Sequence, residues 1–279
     1  IDPDDMPGPA AVPCGPPDFS GKPARLAAQW HGLNLDTATT HDVRRVQATY
    51  RSMIEMVDAQ IGRVLADLGR RGWRENTIVL FCSDHGDFMG DYGLIGKTVA
   101  LYENLLRVPM ILSGPGVPQN SRCTAHVDLT DVAPALLELA GIPALPAAQG
   151  RSFVGAFGDP EAVHRRYVVA EHAYGRAEGM PPAQIDAQIR DRATLRAKHG
   201  EAWFLDALRG RTESIHDTRT GIKLIRHDTD ADELYDLNHD PGELFNRADD
   251  PELSREKVRL NKKLDQLDWT DRDIVERLR

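Results

Sequence analysis

Thr77-Ile78-Val79-Leu80-Phe81-Cys82-Ser83-Asp84-His85-Gly86 is the stretch on which the fold turns. Six residues rich in β-branched and aromatic types, set between polar Arg74-Glu75-Asn76 and Ser83, predict a short buried strand of the kind found in parallel sheets. Such sheets carry their chemistry at the carboxyl ends of strands, where Asp84 and His85 fall. A carboxylate is a hard oxygen donor and an imidazole a nitrogen donor, and Gly86 lets the backbone turn away from them. Asp84 and His85 therefore suit one side of a divalent-cation site.

Working outward, Val43, Val46, Tyr50, Met53, Ile54, Val57, Ile61, Val64, Leu65 and Leu68 recur at helical spacing upstream of the strand. They predict an amphipathic helix of about 27 residues covering one face of the sheet. Downstream come a site loop over 83–107, a strand near 108–112, and a helix from about Thr130 to Ala140 stopped by Gly141 and Pro143. Alternating β and α elements imply a layered α/β sheet. Beyond Gln149, residues 167–170, 222–225 and 233–237 read as short strands, 180–208 as helical in composition, and 251–267 as a closing helix. Residues 1–24 hold seven of the 18 prolines and no hydrophobic period, so an extended surface loop is expected there.

Gly96-Lys97-Thr98 ends like a nucleotide-binding loop, but that motif needs glycine where Asp91 stands, and a carboxylate there repels phosphate. Lys97 instead suits a point charge on an ester's anionic oxygens.

The block from Thr77 to Gly116 holds Ser83-Asp84-His85-Gly86, Gly90-Asp91, Gly96-Lys97, Tyr102-Glu103, Arg107-Val108-Pro109 and Gly114-Pro115-Gly116 in order. It resembles the sulfatases of the alkaline phosphatase superfamily, including their phosphonate monoester hydrolase relatives. Val127 to Pro134, Leu139 to Pro143, Gln149 to Ser152, Glu233-Leu234-Tyr235-Asp236-Leu237 and Glu243 to Asn246 extend the resemblance over most of residues 40–250. It implies an α/β fold: an alkaline-phosphatase-like layered sheet flanked by helices, with a smaller C-terminal α+β subdomain. The division expected is a Pro-rich loop segment (1–24), the C-terminal part of the core domain (25–150), and a subdomain of short antiparallel strands with a closing helix (151–279).

The resemblance also implies hydrolysis of a small-molecule sulfate, phosphonate or phosphate ester. Asp84 and His85 become metal ligands and Lys97 the side chain on the transferred group. Calcium suits an oxygen-rich site, whereas the nitrogen of His85 favours manganese, zinc or iron. In the family the nucleophile is a formylglycine made from Cys or Ser in C/S-x-P-x-R. Cys14-Gly15-Pro16-Pro17-Asp18 departs from that pattern, with Asp18 where arginine is required. The expectation is that these 279 residues are the C-terminal part of a longer enzyme, with the formylglycine upstream, and are inactive alone; the alternative is a non-catalytic binding protein, a truly short chain that kept the second half of the fold and lost the chemistry. Arg107 is expected to pair with Glu103, and Arg211-Thr212 with Lys223-Leu224-Ile225 to be architectural. Asp87 and Asp91 flank the site loop, and His126 and His172 match no motif.

A formal charge of −9 argues against nucleic acid or an anionic membrane as partner. No apolar run approaches the ~20 residues of a membrane span. Three cysteines give neither a disulfide framework nor zinc spacing. Composition suits a cytoplasmic or periplasmic chain, and uncovered sheet edges would favour a homo-oligomer.

Overall fold

A reciprocal capping box starts the longest helix: Thr39 Oγ1 accepts the Asp42 amide at 3.2 Å, and the Asp42 carboxylate accepts the Thr39 amide at 3.0 Å. The computed structural model describes residues 1–8, 17–33, 35–97, 100–159, 161–173 and 211–267. Its helices are α1 (Ala24–Gly32), α2 (Thr40–Arg70), α3 (Glu103–Leu106), α4 (Val132–Leu139) and α5 (Ser254–Leu264). Cys14 and the stretch 180–208, expected to be helical, lie outside the described residues.

The deciding stretch forms β1 (Val79–Cys82), which pairs with β4 (Met110–Ser113) in the register Val79↔Ser113 to Cys82↔Met110. That pairing is antiparallel, and the two strands form a sheet by themselves, so the expected buried strand of a parallel sheet is corrected. Phe81 is 39% and Ile111 64% exposed. Strands 4.8 Å apart give this sheet a width of only about 10 Å, whereas 31 residues of α2 run about 46 Å. The helix therefore overhangs the sheet. Met53, Ile54, Val57 and Val64, expected in the core, stand exposed. Between helix and strand lies an apolar cleft of about 610 Å³, lined by Val57, Ile61, Leu65, Leu68, Ile78 and Leu80 among others. No helix of the described residues is long and apolar enough to cross a membrane.

After β1 the chain makes a small hairpin, β2 (Phe88–Met89) against β3 (Ile95–Gly96), and then α3 and β4. The C-terminal half builds a four-stranded antiparallel sheet in chain order: β5 (Tyr167–Ala173), β6 (Arg211–Asp217), β7 (Ile222–His227) and β8 (Glu233–Asp236). Strand β6 was not foreseen, because Thr212-Glu213-Ser214 is polar; in the structure all three side chains are buried. Side chains alternate across this sheet as the strand period requires. Leu224 packs on one face with Ile215, Leu234 and, from α5, Leu260 and Leu264. Ile225 and Tyr235 pack on the other with Phe88, Tyr92, Tyr102 and Leu105. The second face is what joins the C-terminal sheet to the loop carrying Asp84, His85 and Lys97.

Residues 17–24 correct the surface-loop expectation. The Lys22 ammonium lies 4.5 to 5.1 Å from the ring centres of Tyr235, Tyr102 and Tyr92 and donates to Tyr235 Oη at 2.7 Å. Cation–π attraction and this hydrogen bond offset its burial, which lowers its pKa. Arg25 is buried too, and donates to Thr212 Oγ1. From there a relay runs inward: Thr212 Oγ1 to His227 Nδ1 at 3.1 Å, and His227 Nε2 to Glu233 at 2.9 Å. Glu233 also accepts the hydroxyls of Tyr102 and Tyr235.

Candidate metal and anion site

The loop after β1 is held by its own short-range bonds. Ser83 Oγ donates to the His85 carbonyl at 2.8 Å, and the His85 amide donates to Asp84 Oδ1 at 3.0 Å. His85 Nδ1 lies 2.8 Å from the Gly86 carbonyl. A carbonyl only accepts, so in the neutral ring Nδ1 carries the proton and Nε2 keeps its lone pair. That lone-pair nitrogen is 3.8 Å from Asp84 Oδ2. One cation with bonds of about 2.0–2.4 Å can span two donors at that separation. A ring N–H bonded to a backbone carbonyl is also how metal-binding histidines are commonly oriented.

Gly86 is where the loop meets α3. Its amide donates to the Leu105 carbonyl at 2.9 Å, and a Cβ built on it would sit 1.9 Å from the Asn104 carbonyl oxygen. No residue with a side chain fits without moving one backbone segment off the other.

Lys97 is 13 residues from Asp84 in sequence, and the hairpin closes much of that gap. Phe88 faces Gly96, so continuing the register by one residue sets Lys97 opposite Asp87, two residues from His85. Its carbonyl accepts Gln29 Nε2 at 3.1 Å from α1, while Gln47 of α2 donates to the Met89 carbonyl at 2.8 Å. Its side chain is exposed, as is the Asp84 carboxylate, and His85 is partly exposed. Asp91 accepts the Met89 amide at 3.4 Å within the loop, and Asp87 faces Tyr50 of α2. Two donors are fewer than any of the expected metals takes. Among the described residues no group of three or more His, Cys, Asp or Glu is placed to hold a metal ion.

Residues 16–142 match the Sulfatase family model. Over that stretch the chain is similar to the sulfatases. Over 137 residues it is 35% identical to an arylsulfatase of Clostridium perfringens, a match covering 48% of this chain and 28% of that protein. Among solved structures, the phosphonate monoester hydrolase of Agrobacterium radiobacter superimposes with a TM-score of 0.63 at 25% identity, over 82% of this chain and 42% of that one. A 2-O GAG sulfatase shares the fold with a TM-score of 0.70 at 23% identity, over 92% and 52%. The architecture is thus alkaline-phosphatase-like. The chain spans about a third or less of the length of the curated relatives it matches.

Sequence spacing missed the charged residues behind this loop. Glu103 was expected on Arg107, one turn away; its ion pair is with Lys223 of β7, at 2.8 Å. Lys223 also reaches Glu243 at 2.8 Å, and Glu243 accepts the Glu103 amide at 2.6 Å. Lys223 is 1% and Glu243 0% exposed. Burial alone would lower the Lys223 pKa, but Glu243 and Glu103 together raise it, so the ammonium stays charged. Beside them His126 and His216 meet edge to face, and burial pushes His216 down to about 4 against the pull of Glu103. The one available signal was a lysine inside an apolar strand, Ile222-Lys223-Leu224-Ile225, which requires a buried counter-ion.

Proposed function

We propose that this chain supplies the metal-binding and anion-binding side of a sulfuric ester hydrolase site. Asp84 and His85 hold a divalent cation, and Lys97 neutralises the sulfuryl oxygens as the ester bond breaks. The observation that carries this is the His85 ring, held by the Gly86 carbonyl with its free nitrogen beside Asp84 Oδ2. When bound, the cation supplies Lewis-acid polarisation and orients the nucleophile. The nucleophile, a formylglycine, comes from outside the described residues: Cys82 precedes Ser83-Asp84-His85 and Cys123 precedes Thr124-Ala125-His126, neither in a C-x-P-x-R context. A second assignment, phosphonate or phosphate ester hydrolysis with manganese, zinc or iron, is favoured by the nitrogen donor and by the likeness to a phosphonate monoester hydrolase.

Manganese(II) tests the ligands directly, because it broadens NMR signals near its site even when binding is weak. In the 279-residue chain we expect selective broadening at Asp84 and His85, abolished in Asp84→Ala and retained in Lys97→Ala. The chain alone should not turn over a nitrophenyl sulfate. Supplied with the nucleophile-bearing part, Lys97→Ala should lower kcat/KM by about 10²-fold, the scale of losing one charge-stabilising donor. Metal-dependent turnover by the chain alone, or broadening that survives Asp84→Ala, would overturn these assignments.

A further inference from the structure

We infer that Lys223, with Glu103 and Glu243, is a positioning device for the Asp84-His85 loop. Helix α3 is the element between them. It has four residues and closes three bonds of its own, from Leu105 and Leu106 to the Tyr102 carbonyl at 2.9 and 3.0 Å and from Arg107 to the Glu103 carbonyl at 2.8 Å. A single turn does not hold itself in water. Its placement comes from outside.

At its first residue the Glu243 carboxylate accepts the Glu103 amide, and the Lys223 ammonium bridges the side chains of Glu103 and Glu243. Glu243 itself is set by a backbone turn with φ of +52°, its amide donating to the Asp240 carbonyl at 3.0 Å. At the other end of α3 the carbonyls of Asn104 and Leu105 are the surface on which Gly86 rests. Gly86 in turn orients the His85 ring. A continuous path of bonds thus runs from β7 through α3 to the two proposed ligands, and none of its buried members is itself one of them. Tyr102 and Leu105 anchor the apolar side of α3, but packing is not directional. The ion triad fixes the rotation of the turn that presents the two carbonyls. With Lys223 gone, Glu103 and Glu243 face each other as carboxylates without a cation, which turns attraction into repulsion.

This role rests on the assignment of Asp84 and His85 as ligands, so the test reads the loop and the metal separately. Lys223→Met keeps length and apolar volume and removes the charge. By amide exchange on the full chain, we expect Gly86, Leu106 and Arg107 to exchange at least tenfold faster, while Ile215 and Leu224 in the sheet stay as protected as in the parent. We also expect manganese(II) broadening at His85 to need several-fold more metal. If Lys223→Met disturbs the sheet, Glu103→Gln decides. It keeps the helix cap and a neutral bond to Lys223, and should speed exchange at Gly86 by a smaller factor. Unchanged Gly86 exchange in a variant with an intact sheet would overturn the device. Absence of manganese broadening at His85 in the parent would sink the ligand assignment instead, and the exchange result would still decide whether Lys223 holds the loop.

Discussion

Gly86→Ala should remove metal binding and destabilise the chain together, by about 2–4 kcal/mol. No φ in the left-handed range is involved at Gly86, so alanine is not barred by backbone torsion. The obstacle is contact: the new methyl would lie 1.9 Å from the Asn104 carbonyl oxygen and 3.1 Å from its carbon, both backbone atoms of α3. One of the two segments must move by more than an ångström. Forced overpacking costs about 1–3 kcal/mol, and losing the Gly86–Leu105 bond adds about 1. Because the Gly86 carbonyl holds His85 Nδ1, the same movement turns the imidazole away from Asp84. Gly62→Ala is the matched control. Gly62 lies inside α2 with nothing within 4 Å of the added methyl, and helix propensity favours alanine there by about 0.5–1 kcal/mol. Thermal unfolding should show Gly86→Ala several degrees below the parent and Gly62→Ala at or above it. An unchanged melting temperature for Gly86→Ala, with manganese broadening at His85 intact, would show that the loop does not rest on α3.

How much of this was legible follows from the range of the forces involved. Local ones were read well. The 3.6-residue period found α2, whose capping box at Thr39 and Asp42 extended it to 31 residues, and the strand at 77–82 shrank only to Val79–Cys82. Ordered motifs located the family and the loop. Partner choice was not legible. Nothing in Ile78-Val79-Leu80-Phe81 says whether the next strand runs parallel or antiparallel, or whether the sheet is wide enough to bury Val57 and Val64. The stripe on α2 was therefore correct as a pattern, and its burial was wrong as a consequence. Charged residues in the interior were the least visible. Arg25, Glu233 and Glu243 carry no local mark of burial, and only charge compensation from distant partners lets them lie inside. Such partners come from residues more than a hundred positions apart, as for Lys223 and Glu103, and no local period records them.

The largest loss of stability is expected where one carboxylate serves four residues. Asp131, fully buried, accepts Arg165 Nε at 2.7 Å and a second Arg165 nitrogen, His164 Nε2 at 3.1 Å, and the amides of Arg151 at 2.8 Å and Asp128 at 3.0 Å. It thereby ties the start of α4 to the turn at 150–151 and to the residues entering β5. Burial alone would raise its carboxyl, but Arg165, His164 and the two amides hold it well below the usual carboxylate range. Asp131→Ala leaves Arg165, 4% exposed, as a buried cation without its counter-ion. Breaking a buried pair from one side costs about 3–5 kcal/mol. For a chain of this size that lowers the melting temperature by about 5–10 °C. Asp131→Asn keeps volume and one acceptor, so it should lose less. The pH dependence gives an independent check. A carboxyl whose folded pKa is depressed contributes stability that is complete above its unfolded value near 3.8 and is lost as pH falls toward the folded value. Urea unfolding should therefore show the full gap between parent and Asp131→Ala at pH 7, a gap that holds down to about pH 4 and narrows progressively below it. A gap that widens on acidification, or a variant that unfolds at the same urea concentration as the parent, would mean that Arg165 finds its compensation elsewhere and that Asp131 is not the tie between α4 and β5.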